Sequence, residues 1–171
     1  LIQEFYFTKL NTAQKTEAAL NIPNLGIIPD IHKRKRTKKS AKCWDGKLIS
    51  NSQSPGSLTE EFRRIRSNVQ YQMKQKNAKT ILVTSPVQGD GKSLISSNLA
   101  IIMAMDGKKT IYIDADLRKP DGRGIFNLPK RNGLTSLISG HYELEDVLQK
   151  TSTNNLSFIG PGPIPPNPAE V

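Results

Sequence analysis

Two short stretches hold the residues with the clearest chemical possibilities: T-S-P-V-Q-G-D-G-K-S-L at 84–94 and I-Y-I-D-A-D-L-R-K-P at 111–120. In the first, Gly89 and Gly91 free the backbone to turn its N–H groups inward, where they can ring an anion. Lys92 supplies a cation and Ser93 a hydroxyl, the pair that reaches the outer phosphates and a magnesium ion in phosphate-binding loops. The stretch departs from G-x-x-x-x-G-K-[ST], because Pro86 stands where that pattern has its first glycine. Asp90 adds a carboxylate near the expected phosphates, which is unfavourable unless it turns to solvent. In the second stretch, Asp114 and Asp116 close an apolar run. On a strand, residues two apart share a face. A hard cation takes oxygen ligands, so one carboxylate could hold a metal while the other accepts a proton from a hydroxyl. Arg118 adds positive charge nearby. The plain alternatives are a glycine-rich turn joining strand to helix and an ordinary strand-to-loop transition.

For these residues to meet, the elements between them must bring them together. K-T-I-L-V-T-S (79–85) reads as a buried strand running into the glycine loop, and a helix over 92–105 follows. The N-terminus of that helix points its partial positive charge at the loop. T-I-Y-I-D-A-D (110–116) reads as a second strand. Strand, loop, helix and strand make a βαβ unit, whose ligands gather at the carboxyl ends of the strands. Upstream, S-L-T-E (57–60) is a capping box with Ser57 as cap. Leu58, Phe62, Ile65, Val69 and Met73 then recur at spacings of 4, 3, 4 and 4, one apolar helix face that leaves Glu60, Arg63 and Arg66 off it. Downstream, L-T-S-L-I-S-G and E-L-E-D-V-L-Q-K read as short helices. L-S-F-I-G (156–160) reads as a third strand before the proline-rich P-G-P-I-P-P-N-P-A-E-V. The expected class is α/β, a mostly parallel sheet flanked by helices.

Composition narrows the possibilities. The 171 residues are 36% hydrophobic and 23% charged, enough for a packed core. Cys43 has no cysteine to pair with, and with only His32 and His141 a buried metal cluster of soft ligands is not expected. No run of 18 apolar residues is present. The net charge of +10 is concentrated in H-K-R-K-R-T-K-K-S-A-K (32–42), which holds seven of the 25 Lys and Arg. That run reads as a solvated linker, or as a contact for an anionic membrane surface or nucleic acid. No aromatic residue interleaves with it to stack bases, so no nucleic-acid partner is expected. A helix over about 12–20, with Thr12 as N-cap, precedes Pro23 and the extended L-G-I-I-P-D. The organisation expected is a small unit at 1–31, a basic and then Ser/Gly/Pro-rich linker at 32–56, and a main domain at 57–171. The start at Leu1 suggests a piece of a longer protein.

Taken together, the motifs resemble those of the bacterial tyrosine kinases of capsular and exopolysaccharide synthesis. I-L-V-T-S-P-V-Q-G-D-G-K-S resembles their Walker A, with Gln88 where proline is usual, and I-Y-I-D-A-D-L-R-K-P resembles their Walker A′. E-E-F-R-R-I-R carries E-x-x-R-x-x-R, G-P-I-P-P-N-P-A-E-V matches a segment downstream of their third strand, and L-N-I-P-N-L-G-I-I-P-D resembles the cytoplasmic stretch of their membrane activator. The resemblance implies a P-loop NTPase-like domain preceded by a juxtamembrane activator segment on the same polypeptide, on the cytoplasmic face of the bacterial membrane. It implies ATP and Mg²⁺ as cofactors, with Gln88, Gly89, Asp90, Gly91, Lys92, Ser93, Leu94 and Arg118 around the nucleotide and Ser93, Asp114 and Asp116 around the metal. Lys92, Asp114 and Asp116 are the implied catalytic residues, with Asp114 orienting or deprotonating a tyrosine hydroxyl. Glu60, Arg63 and Arg66 are implied to join copies of the chain, and the polysaccharide polymerisation and export machinery is the implied wider partner. The family's Walker B strand and C-terminal tyrosine cluster are expected beyond Val171, so the C-terminal part of the sheet is expected to be missing and kinase activity impaired. Two rivals remain. A partitioning or positioning ATPase shares the compact loop, but its early lysine is replaced here by Pro86, Val87 and Gln88. A non-catalytic nucleotide-binding regulatory module is the other.

Overall fold

A computed structural model describes residues 13–28, 48–50 and 56–170, without the side chains of Ala13, Gln14 and Ala169. The expected cap Thr12, most of the linker with its basic run, His32, Cys43 and Tyr6 lie outside the described residues. The core forms where two helices cross. Helix α1 (Ala13–Leu20) precedes the segment 21–28. Helix α2 (Gly56–Gln75) buries Leu58, Phe62, Ile65 and Val69, the stripe its periodicity predicts, and Met73 is partly covered. The helix already includes Ser57, and Glu60 pairs with Arg63 on its own exposed face, an i,i+3 ion pair.

Helix α3 (Lys92–Met105) supplies the other half of the core, with every residue from Ser97 to Ala104 buried. The polar residues of this apolar helix are satisfied internally. Asn98 accepts the N–H of Ile49 at 2.8 Å and donates to the carbonyl of Leu94 at 3.0 Å, and Ser97 donates to the same carbonyl at 3.1 Å. Ile49, within the stretch read as linker, is thereby drawn into the core at 7% exposure. The segment 21–28 lies against α2: Asn68 donates to the carbonyl of Leu25 at 2.9 Å, and Leu25 and Ile28 pack on the core.

Strand β1 (Thr110–Ile113) follows α3, then the short helices α4 (Gly122–Phe126), α5 (Leu134–Ile138) and α6 (Leu144–Val147), strand β2 (Gln149–Lys150), strand β3 (Leu156–Ile159) and a 3₁₀ turn at Pro168–Glu170. The sheet is small and mixed, in the order β1-β3-β2. β1 and β3 are parallel with Thr110 opposite Leu156 and Ile113 opposite Ile159, while β2 runs antiparallel to β3. Tyr112, Phe126 and Phe158 form an aromatic trio beside the sheet, with centroid separations from 5.2 to 6.0 Å.

Three expectations change. The apolar stretch 79–85 is not a strand and pairs with none of the described ones. Its side chains are mostly exposed, Leu82 at 87%. A strand needs a ladder partner, and an apolar run alone does not supply one. The second strand ends at Ile113, although its ladder continues for one bond, from the N–H of Asp114 to the carbonyl of Ile159 at 2.9 Å. The helix expected over 143–150 stops at Val147, because Leu148 turns extended and Gln149 and Lys150 gain ladder bonds to β3. Among the described residues, no helix is long and apolar enough to cross a membrane.

Candidate nucleotide site

The first half of the site is the loop entering α3. Gly89 and Gly91 have φ of +96° and +91°, the left-handed region that glycine enters without steric cost, and Gly91 is the residue from which α3 starts. A β-carbon at either position would meet nothing within 4 Å, so the loop faces open space. Asp90 folds back across the loop and accepts the N–H of Val87 at 3.1 Å, which gives its exposed carboxylate a local partner. Gln88 is exposed beside it, while Lys92, Ser93 and Leu94 are half-buried in the first turn of α3.

The second half is the loop leaving β1, and the two halves meet through one ion pair. Lys92 Nζ lies 3.3 Å from Asp116 Oδ2. The other oxygen of Asp116 accepts the N–H groups of Lys119 at 3.0 Å and Arg118 at 3.3 Å. These backbone donors, Lys119 first, and the Lys92 ammonium hold the Asp116 carboxyl below its usual range.

Asp114 has a different setting. It is 6% exposed, and its two oxygens accept the N–H of Gly122 at 2.8 Å and the N–H of Asp116 at 3.2 Å. Burial pushes its carboxyl up, with the neighbouring Asp116 and Asp121 adding to the rise and the two N–H donors opposing it. The expected shared face therefore does not make the two carboxylates equivalent. Asp116 turns to Lys92, and Asp114 turns inward and braces the loop. Arg118 is exposed at the loop's outer side. Glu60, Arg63 and Arg66 stand apart on α2, where Arg66 Nη1 pairs with Asp106 Oδ1 at 2.9 Å.

Sequence reasoning missed three supports. Gly122 is required by close approach, since a β-carbon there would lie 2.7 Å from Phe158 and 2.8 Å from Asp114 Oδ2. Its only local signal is the D-G pair at 121–122, which reads as an ordinary turn. Tyr112 reaches from the aromatic trio to α3, its hydroxyl 3.2 Å from Ser96 Oγ, and burial raises its phenol above the usual range. Asp106 ties the end of α3 to α2 through Arg66 and through Gln70, which donates to it at 3.1 Å.

The donor set fits a nucleoside triphosphate with a hard divalent cation: open glycine amides, an ammonium, a hydroxyl and a carboxylate held ionised. Among the described residues, no group of three or more His, Cys, Asp and Glu could hold a metal alone. Magnesium takes one or two carboxylates and completes its shell with water and phosphate oxygens, so Asp116 and a bound triphosphate are a donor set it could use.

No family model matches the chain. The putative tyrosine-protein kinase CapB of Staphylococcus aureus is 38% identical over 124 residues, which are 72% of this chain and 54% of that protein. The tyrosine-protein kinase Ptk of Acinetobacter johnsonii is 38% identical over 172 residues, covering 100% of this chain and 24% of its own length. The kinase domain of the Escherichia coli tyrosine kinase Etk superposes with a TM-score of 0.74 at 26% identity, over 90% of this chain and 61% of that one. The chain thus spans about half the length of the first relative and about a quarter of the second.

Proposed function

The chain belongs to the bacterial tyrosine kinases, and from that kinship we propose that its site binds ATP and a divalent metal for phosphoryl transfer to tyrosine. The observation that carries the reading is the 3.3 Å approach of Lys92 to Asp116, which joins the glycine loop to the end of β1 at one point. When bound, ATP with its magnesium ion supplies the phosphoryl group and spreads its charge over metal and phosphate oxygens. Gly89 and Gly91 present backbone amides to the phosphates, and Lys92 neutralises the outer ones. Ser93 offers its hydroxyl and Asp116 its ionised carboxylate to the metal. Asp116 is also the carboxylate that can orient an incoming hydroxyl, because it is half-exposed and faces Lys92, whereas Asp114 is buried and holds the loop at 115–122 in place. Arg118 adds positive potential at the rim.

The wider reading follows the same kinship. In the parent protein this site serves an ATP-dependent autokinase that regulates capsular or exopolysaccharide polymerisation and export at the cytoplasmic face of the membrane. Copies associate through Glu60, Arg63 and Arg66, exchanging the contacts these residues make within one chain. The residues before the kinase unit act as the juxtamembrane activator.

Lys92→Met tests the site directly. It keeps the length of the side chain and removes its charge. Affinity for a non-hydrolysable ATP analogue with Mg²⁺ is expected to fall at least tenfold in calorimetric titration, with far-UV circular dichroism unchanged. Equal affinity in the variant would exclude this loop as the nucleotide site.

A further inference from the structure

We propose that Tyr112 is a positioning residue for the metal: through Ser96, its hydroxyl holds the first turn of α3 at the spacing from the end of β1 that lets Ser93 and Asp116 serve one cation. This deepens the kinase reading and rests on it for the nucleotide and its metal. The two donors come from different elements. Ser93 lies in the first turn of α3, and Asp116 lies beyond the end of β1. Their spacing is therefore set by how α3 sits against β1. Two polar contacts cross that junction beside the site. One is the ion pair of Lys92 with Asp116 at 3.3 Å, and the other joins the Tyr112 hydroxyl to Ser96 Oγ at 3.2 Å. With nucleotide in place, Lys92 serves the phosphates and Asp116 the metal, so their pairing is exchanged for ligand contacts. The contact of Tyr112 with Ser96 uses no group that the ligand needs, and it remains.

The direction of that contact follows from its proton count. Ser96 has one hydroxyl hydrogen, and it is directed to the carbonyl of Ser93 at 3.3 Å. Its oxygen therefore accepts, and the Tyr112 hydroxyl donates. The relay runs from β1 through two hydroxyls to the backbone of Ser93, the residue whose side chain is offered to the metal.

The tyrosine is held from behind. Its ring meets Phe126 of α4 edge-on, with centroids 5.2 Å apart, and stacks on Phe158 of β3 at 6.0 Å. Its backbone is paired in register with Phe158, on the strand that leads into Asp114 and Asp116. A ring fixed on two sides presents its hydroxyl to α3 at a set point. Packing does not account for that hydroxyl, because phenylalanine fills the same space against Phe126 and Phe158. What the oxygen adds is the bond to Ser96, which ties the strand bearing one metal donor to the helical turn bearing the other.

Calorimetric titration of the full chain with a non-hydrolysable ATP analogue, in Mg²⁺ and again in EDTA, tests the relay in the parent, Tyr112→Phe, Ser96→Ala and the double variant. Without metal the analogue is held by the glycine amides and Lys92, all on the α3 side, and its affinity should be the same in all four. With Mg²⁺ both sides engage. Tyr112→Phe and Ser96→Ala should then each bind about three- to tenfold more weakly, the range of one neutral hydrogen bond. The double variant should be no weaker than the weaker single one, because the two hydroxyls form one relay. Ser96→Ala leaves the aromatic trio untouched, so it reads the relay even where Tyr112→Phe disturbs the packing. A role in packing alone gives a different pattern, a loss that is equal with and without metal and additive in the double variant. That pattern, or unchanged affinity in Mg²⁺, overturns the proposal. A parent that binds no nucleotide overturns the kinase reading and this one with it. A parent that binds, with no metal-specific loss in the variants, overturns this one alone.

Discussion

Asp114 and Asp116, two residues apart, are pushed to opposite sides of the ordinary carboxylate range of about 4. Burial raises Asp114, so the folded chain binds its proton more tightly than the unfolded chain does. Its ionisation costs stability above the ordinary range, and that cost disappears on acidification. Asp116 is lowered, so its contribution is present above the ordinary range and is lost as pH falls through its folded value. Thermal melts between about pH 3 and pH 7 should therefore show a shallower acid-side loss in Asp116→Asn than in the parent. Asp114→Asn should melt lower at neutral pH, because it turns one of the two accepting oxygens into an NH2 donor that faces the N–H of Gly122 or of Asp116, and it should lose the opposing slope. Parallel curves for all three proteins would contradict these assignments. Gly122→Ala is expected to cost about 1–3 kcal/mol in urea denaturation, since its β-carbon would overlap Phe158 and Asp114. Gly124→Ala is the control, because its β-carbon meets nothing within 4 Å. The D-x-D pair was legible because it closes an apolar run, although the strand ends at Ile113, before both aspartates. The division of labour within it was not, because it depends on Gly122 and Lys92 arriving from other parts of the chain.

Helices α2 and α3 were legible almost to their ends, α2 from its apolar spacing and α3 from the glycine loop before it. The seam between them was not. Asp106 sits at the C-terminus of α3, where a negative charge opposes the helix dipole, and no local rule favours it. Its reason lies on the other helix, in Arg66 at 2.9 Å and Gln70 at 3.1 Å. The two arginines of E-x-x-R-x-x-R should therefore behave differently. Arg66→Ala is expected to lower the melting temperature, at a cost of about 1 kcal/mol, as it breaks a partly buried pair. Arg63→Ala, whose pair with Glu60 is exposed, should leave stability nearly unchanged. If both arginines also join copies of the chain, the double variant should sediment as a smaller species than the parent, in a preparation that assembles. Identical sedimentation would confine Arg66 to the seam.

Over the whole molecule, the α/β class, the two long helices and the strands after them at 110–113 and 156–159 could be read from periodicity and turn residues. Pairing in the sheet could not. The stretch 79–85 has strand composition, but a ladder is a property of two segments, and this one has no partner among the described residues. Ile111 and Ile113 of β1 are 46% and 49% exposed, and Leu82 is 87% exposed. Exposed apolar surface of this kind binds hydrophobic dyes and promotes association. Ile111→Thr/Ile113→Thr is expected to reduce the fluorescence of a bound naphthalene sulfonate dye, with helix content retained. Dye binding equal to the parent's would place the apolar surface elsewhere.

Helix α3 carries Lys92 at its front end, and the residue that follows its rear end, Asp106, is bolted to α2. Between them lies a rod of 14 residues, roughly 21 Å at the ordinary rise of a helix. The segment at 21–28 grips α2 in turn, through Asn68 and the carbonyl of Leu25. The contacts thus run without a break from that segment through two packed helices to the ammonium group beside the glycine loop.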